Sequence, residues 1–190
     1  AKWYLNANNI SPAETHLNSI NEDAPLALRR RLLQLALAEE TGKTAEALAN
    51  LNRELTSNED VSADALATSM KIEKGLLAQA GGDMWRRNNA CIKALPFYQL
   101  ALDNGLDSYR LHRSLGICFE QTENDAQAEQ ALLRAIELNP NDAISLNYLG
   151  YWWADEGRHL QKAITLIKKA VRLRPHSGYY ADSLGWVYYR

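Results

Sequence analysis

The chain has 190 residues, of which 46% are hydrophobic and 23% charged, with a formal net charge of −2. That apolar content supports a continuous core and excludes disorder, while the balanced charge excludes a nucleic-acid binder, which needs a basic face to displace phosphate counterions. No stretch approaches the roughly 20 uninterrupted apolar residues of a membrane span, and residues 1–20 lack the basic start and apolar run of a signal peptide.

Breakers are sparse, at Pro12, Pro25, Gly42, Gly81-Gly82, Gly105, Pro140 and Pro175. Between them apolar residues recur at three- and four-residue spacing, and nowhere does the alternation of a half-buried strand appear, so the chain reads as all-α. Ser11-Pro12-Ala13-Glu14 combines an N-cap serine, a first-turn proline and a capping-box glutamate. Thr44 and Asn124 hold the equivalent place further on. The basic runs Arg29-Arg30-Arg31 and Arg86-Arg87 read as solvated charge. Leu66, Met70 and Leu77 predict a long helix from about Ser62 to Ala80, followed by a loop, Gly81 to Asn89, that carries Met84 and Trp85. Pro96 sits inside the next helical pattern and reads as a kink. Pro140 and Pro175 close helices by withholding a backbone donor.

The second half repeats itself. Leu115-Gly116, Phe119, Ala128, Leu132, Ala135 and Pro140 align with Leu149-Gly150, Trp153, Ala163, Ile167, Ala170 and Pro175, with one residue inserted after Gly157. A third copy opens with Leu184-Gly185 and Tyr188. Upstream copies are degenerate: the anchor alanines Ala13, Ala47, Ala94, Ala128 and Ala163 stand at gaps of 34, 47, 34 and 35. Gln34-Leu35 replaces Leu-Gly in the second copy, and the third is thirteen residues over-length. The pairing of Gly116 with Ala128, and of Gly150 with Ala163, implies close helix crossings, since a glycine inside a helix otherwise costs about 0.5–1 kcal/mol.

This Leu-Gly, aromatic, Ala, large apolar, Ala, Pro series resembles the tetratricopeptide repeat (TPR) family. The resemblance implies a right-handed superhelical solenoid of antiparallel helix pairs, the first helix of each pair lining the concave side. Repeats then fall at roughly 1–25, 26–60, 61–107, 108–141, 142–176 and a partial 177–190, in one solenoid cut through a repeat at both ends. The stretches 146–174 and 178–186 are similar to TPR proteins of proteobacteria, many of them associated with the envelope, which implies a bacterial source and a periplasmic or outer-membrane setting.

No catalytic or cofactor motif is present, and His16, His112, His159 and His176 are scattered, so neither an enzyme nor a metal or cofactor site is expected. Asp155-Glu156 reads as a solvated pair. Cys91 and Cys118 read either as small core residues or as a disulfide between consecutive helices in an oxidising compartment.

The feature that stands out is aromatic: nine of the sixteen aromatic residues lie between Tyr148 and Tyr189. Trp153 and Tyr188 are core by register, whereas Tyr148, Tyr151, Tyr179, Trp186 and Tyr189 are not. The first-helix stripe Arg110, Arg113, Asn147, Tyr151, Asp155, Tyr179, Asp182 and Trp186 is therefore the expected groove for another protein or peptide, unless a further helix covers the aromatics. It does not resemble the carboxylate-clamp type of TPR groove. The expected function is a scaffold or adaptor. The alternatives are the non-catalytic arm of a glycosyltransferase or peptidase, and a structural module self-associating through its C-terminal end.

Overall fold

The computed structural model describes residues 24–56 and 65–190, which form helices joined by short turns, with no strand among them. Nine helices are described: α1 (Ala24–Glu40), α2 (Thr44–Thr56), α3 (Ala65–Arg87), α4 (Cys91–Asp103), α5 (Tyr109–Gln121), α6 (Asp125–Leu138), α7 (Ala143–Asp155), α8 (Leu160–Leu173) and α9 (Gly178–Tyr189). They form two compact units, 1–106 and 107–190. In unit 1, α1 packs on α2 and α3 on α4; in unit 2, α5 packs on α6 and α7 on α8. The three- and four-residue connections within each pair make the partners antiparallel. The Ser11 to Glu14 cap, Ala13 and His16 lie outside the described residues.

Both helix-pair crossings of unit 2 are closed by a glycine that faces a large side chain. A Cβ on Gly116 would lie 2.6 Å from Leu132 Cγ and 3.1 Å from the Ala128 carbonyl oxygen. At Gly150 it would lie 2.7 Å from Ile167 Cγ1 and 3.0 Å from the Ala163 oxygen. Both predicted crossings are thus present, and the residue one turn beyond each alanine makes the tightest contact. Ala128, Leu132, Leu149, Trp153, Ala163 and Ile167 form the core of unit 2.

The third copy differs from the sequence expectation. No loop spans Gly81 to Asn89: α3 runs through Gly81-Gly82 to Arg87, and Met84 is buried. The glycines are there for closeness, not for a turn. A Cβ on Gly82 would meet Tyr98 Cε1 at 2.5 Å, and one on Gly81 would meet Leu51 Cδ2 and Phe97 Cδ1 at 2.9 Å. Gly82, Gly116 and Gly150 are spaced by 34 residues, and Trp85 stands where Phe119 and Trp153 follow. The extra length lies at the N-terminal end of α3. In the second copy Leu35 occupies the glycine's place, and α1 and α2 pack less closely than the other pairs. A cleft of about 620 Å³ opens between them, floored by Leu35, Ala38, Ala47 and Leu51.

Local signals behave as physics requires, with exceptions. Pro96 sits inside a continuous α4 on its solvent side, where the carbonyl left without a donor belongs to the exposed Ile92. Helices α6 and α8 stop just ahead of Pro140 and Pro175. Asn124 precedes α6 but makes no side-chain cap hydrogen bond, and its side-chain amide donates to Thr122. The inserted residue after Gly157 is taken up by His159, which adopts a left-handed φ of 50°. The basic runs are partnered by carboxylates: Arg31 by Glu54 at 2.6 Å, Arg86 by Asp83 at 3.7 Å and Arg87 by Glu39 at 2.8 Å. Cys91 and Cys118 are both buried, yet neither is a free thiol, so the reading as ordinary buried thiols does not hold.

Candidate functional site

In unit 2 the first helices are α5, α7 and α9, and the repeat period brings their equivalent positions into rows. Arg113, Asn147 and Asp182 form one row, and Tyr151 and Trp186 occupy equivalent places in α7 and α9. Arg110 and Tyr179 mark one end of the stripe, and Asp155 the other.

The structure sorts this predicted stripe into three groups. Tyr151 (41% exposed), Tyr179 (66%), Arg110, Asp155 and Asp182 are open to solvent. Trp186 is partly buried and stacks on Tyr151, with ring centroids 6.4 Å apart and an interplanar angle of 26°. The Arg190 guanidinium lies 5.7 Å from the Trp186 ring, and Tyr189 packs on the same ring at 5.6 Å. Together these residues make an aromatic shelf spanning α7 and α9.

Two members of the stripe do not lie on that open face. Asn147 is buried at 1% exposure, with no hydrogen-bond partner for either amide atom among the described residues. Helical periodicity puts it beneath Tyr151, but only the packing of the neighbouring helices decides its depth. Arg113 is largely buried and engaged: its Nη1 donates to Asp142 Oδ2 at 2.7 Å. The same Asp142 caps α7 by accepting from the Ser145 backbone N–H at 3.1 Å. Burial by itself would raise the Asp142 carboxyl, but the Ser145 and Arg113 hydrogen bonds outweigh it and hold the group below its ordinary range.

The remaining aromatics separate cleanly. Tyr148 faces the core, and its hydroxyl donates to Glu120 at 2.8 Å. Trp153 is core as expected, and Trp152 is buried too, its indole N–H donating to Glu156 at 2.9 Å. Asp155 and Glu156 are both exposed, as expected of a solvated pair, and Glu156 also meets Arg158. Tyr188 departs from the expected core position and is 59% exposed.

Outside the stripe, Asp107 joins two partners. Arg134 and then His112 donate to it and hold its carboxyl below the usual range. Among the described residues no three His, Cys, Asp or Glu side chains form a metal-binding group. No described helix is long and apolar enough to cross a membrane. Sequence reasoning passed over the α1–α2 cleft, although Gln34-Leu35 in place of Leu-Gly is its visible signal.

Comparison with known proteins places this geometry. No family model matches the chain. It is 35% identical over 94 residues to the TPR repeat-containing protein PA4667 of Pseudomonas aeruginosa, a match that covers 47% of this chain and 16% of that protein. It is 28% identical over 102 residues to the probable UDP-N-acetylglucosamine–peptide N-acetylglucosaminyltransferase SPINDLY of Arabidopsis thaliana, covering 54% of this chain and 11% of that one. The chain thus spans about a sixth or less of the length of these relatives. Its fold is similar to that of YrrB, described as a TPR protein with an unusual peptide-binding site, at a TM-score of 0.63 and 20% identity over 93% of this chain and 82% of that one. MamA is similar at a TM-score of 0.64 and 19% identity, over 90% and 85% of the two chains. With the internal period and the glycine crossings, these matches show that the chain has the tetratricopeptide-repeat fold.

Proposed function

We propose that the chain is a non-catalytic interaction module, and that the stripe on α5, α7 and α9 takes a segment of a partner protein. The observation that carries this reading is the shelf itself. Tyr151, Trp186 and Tyr179 offer ring surface toward solvent, bordered by Arg110, Asp155 and Asp182. Large rings bordered by polar groups are what interface hot spots use, and truncating such an anchor typically costs about 2 kcal/mol or more. The peptide-binding site in the description of YrrB supports the same reading. Asn147 lies buried one turn from Tyr151 and Arg113 is engaged by Asp142, so neither is a contact of the partner.

The test is selection of peptides from a display library on the immobilised chain, followed by affinity measurement on variants. Tyr151→Ala should weaken the selected peptides at least tenfold with melting unchanged, Trp186→Ala should weaken them as much while also lowering the melt because its ring packs on the core, and Asp155→Ala at the rim changes little. Variants that bind like the parent, or that lose stability and not affinity, would sink the proposal. The non-catalytic reading fails if metal analysis of the chain finds a stoichiometric ion, or if hydrolase, transferase or phosphatase screens rise above background.

A second reading has its own observation. The SPINDLY transferases of tomato and petunia match 72% of this chain over only 15% of their length. Under that reading the repeats are the arm of a larger enzyme, with a catalytic domain elsewhere in the same polypeptide, which the full gene sequence would reveal. The Pseudomonas relative supports a bacterial source. An envelope setting belongs to the proposal, and fractionation of the source cell with an antibody to the chain tests it.

A further inference from the structure

Charge is distributed unevenly along the chain. Residues 157–181 contain six of the 21 Lys and Arg and none of the 23 Asp and Glu, so a segment of formal charge +6 sits in a chain of net −2. Five of the six cations lie on α8 or at its C-cap: Lys162, Lys168, Lys169, Arg172 and Arg174. None of these five meets a carboxylate among the described residues, whereas Arg113, Arg134 and Arg158 of the same unit each hold one. Lys169 is half-buried and the other four are exposed.

The repeat does not require these charges. At the equivalent places the α6 copy has Gln127, Leu133, Arg134, Glu137 and Asn139, and its one cation, Arg134, is tied to Asp107 and Glu137. On α8, Lys168 and Arg172 are like charges one turn apart, an arrangement that weakens a helix. The helix dipole favours cations in the last turn, but Lys162 stands in the first turn, where it opposes the dipole.

We propose that this face of α8 binds an acidic segment of another protein, a short run rich in Asp and Glu. Charge complementarity sets the class, because the face offers four exposed cations and the surrounding block holds no carboxylate to compete for them. From Lys162 to Arg174 the backbone rises about 18 Å, the reach of about six extended residues. A lipid surface fits less well. A helix that lies in a membrane interface inserts its apolar face, and every apolar residue of α8 is already buried or packed against the core of unit 2. These residues form no part of the Tyr151–Trp186 shelf, and the proposal does not rest on that shelf binding anything.

The probe is a fluorescein-labelled octapeptide of glutamate, titrated into the 190-residue chain at low salt and read by fluorescence anisotropy. Saturable one-to-one binding is expected, with none for a glutamine octapeptide carrying the same label. Lys162→Gln, Lys168→Gln and Arg172→Gln made together should weaken it by about tenfold or more, with thermal melting unlowered because all three side chains are exposed. The same charge change in unit 1, Arg53→Gln with Lys71→Gln and Lys93→Gln, should weaken it by less than about threefold, since those charges act only at long range. No saturable binding of the glutamate peptide, or equal losses in the two triple variants, overturns the proposal. So does a chain that ignores the glutamate peptide but binds phosphatidylglycerol vesicles and loses them in the α8 variant, which would assign the face to a lipid surface.

Discussion

Gly82 and Tyr98 meet so closely that a single methyl group on the glycine would lie 2.5 Å from the tyrosine ring. The ring cannot yield: Tyr98 is fully buried, and its hydroxyl donates to Asp83 at 2.9 Å. Gly82→Ala is therefore expected to destabilise unit 1 by about 1–3 kcal/mol through overpacking. Gly185→Ala should do the opposite and stabilise by about 0.5–1 kcal/mol, since the new methyl enters open space and alanine is the better helix former. Denaturant melts of both variants against the parent check the pair. Equal effects would mean that the two glycines are not in different surroundings.

Asp142 ties α5 to the start of α7 through Arg113 and the Ser145 N–H. Asp142→Asn keeps an oxygen for the cap but removes the charge facing Arg113. A loss of about 1–3 kcal/mol is expected for a charged hydrogen bond broken in a largely buried place. The folded carboxyl lies below its ordinary value, so its stabilisation is complete above the unfolded-state pKa and is lost as pH falls through the folded one. The stability gap between parent and Asp142→Asn should therefore narrow as pH drops from about 5 towards about 2. Thermal melts across that range test it, and a gap that widens on acidification contradicts the assigned pairing.

Asn147→Leu is expected to be neutral or stabilising, by up to about 2 kcal/mol, because it removes an amide that makes no hydrogen bond and keeps the same branched four-atom side-chain skeleton. Peptide affinity on the shelf should stay within about twofold of the parent, as a residue below the surface makes no direct contact. A loss exceeding about 1 kcal/mol would show that the Asn147 amide is satisfied in solution.

The Glu39–Arg87 pair is bidentate, at 2.9 and 2.8 Å, and the Arg87 hydrogen bond holds the Glu39 carboxyl below its usual range. Both side chains remain substantially solvated. A double-mutant cycle with alanine at each position should give a coupling of about 1 kcal/mol or less, shrinking in high salt.

Much of the fold could be read from residue types because three crossings use one rule, and Gly116–Ala128 and Gly150–Ala163 obey it in plain sight. Gly82 obeys it too, yet the doubled glycine imitates a turn signal, and the 34-residue spacing to Gly116 was the stronger cue. The candidate site was legible in its direction and not in its depth. Helical period places Asn147 and Tyr151 on one stripe, but how far each is covered depends on neighbouring helices that no local pattern reports. Tyr188 shows the same limit, since its register is that of a core aromatic while its burial requires a facing helix.

The turns after the first helices carry one further consequence. Asn89, Glu123 and Gly157 all hold positive φ, at 55°, 61° and 69°, and recur every 34 residues. After Gly157 a second left-handed residue, His159, takes up the one-residue insertion, and the Gly150–Ile167 crossing downstream keeps its contacts. Relatives of this chain should therefore tolerate insertions and deletions at these hinges while holding the helical stretches to constant length. Alignment gaps clustered around positions 89, 123 and 157 would be the evolutionary trace of that mechanical division.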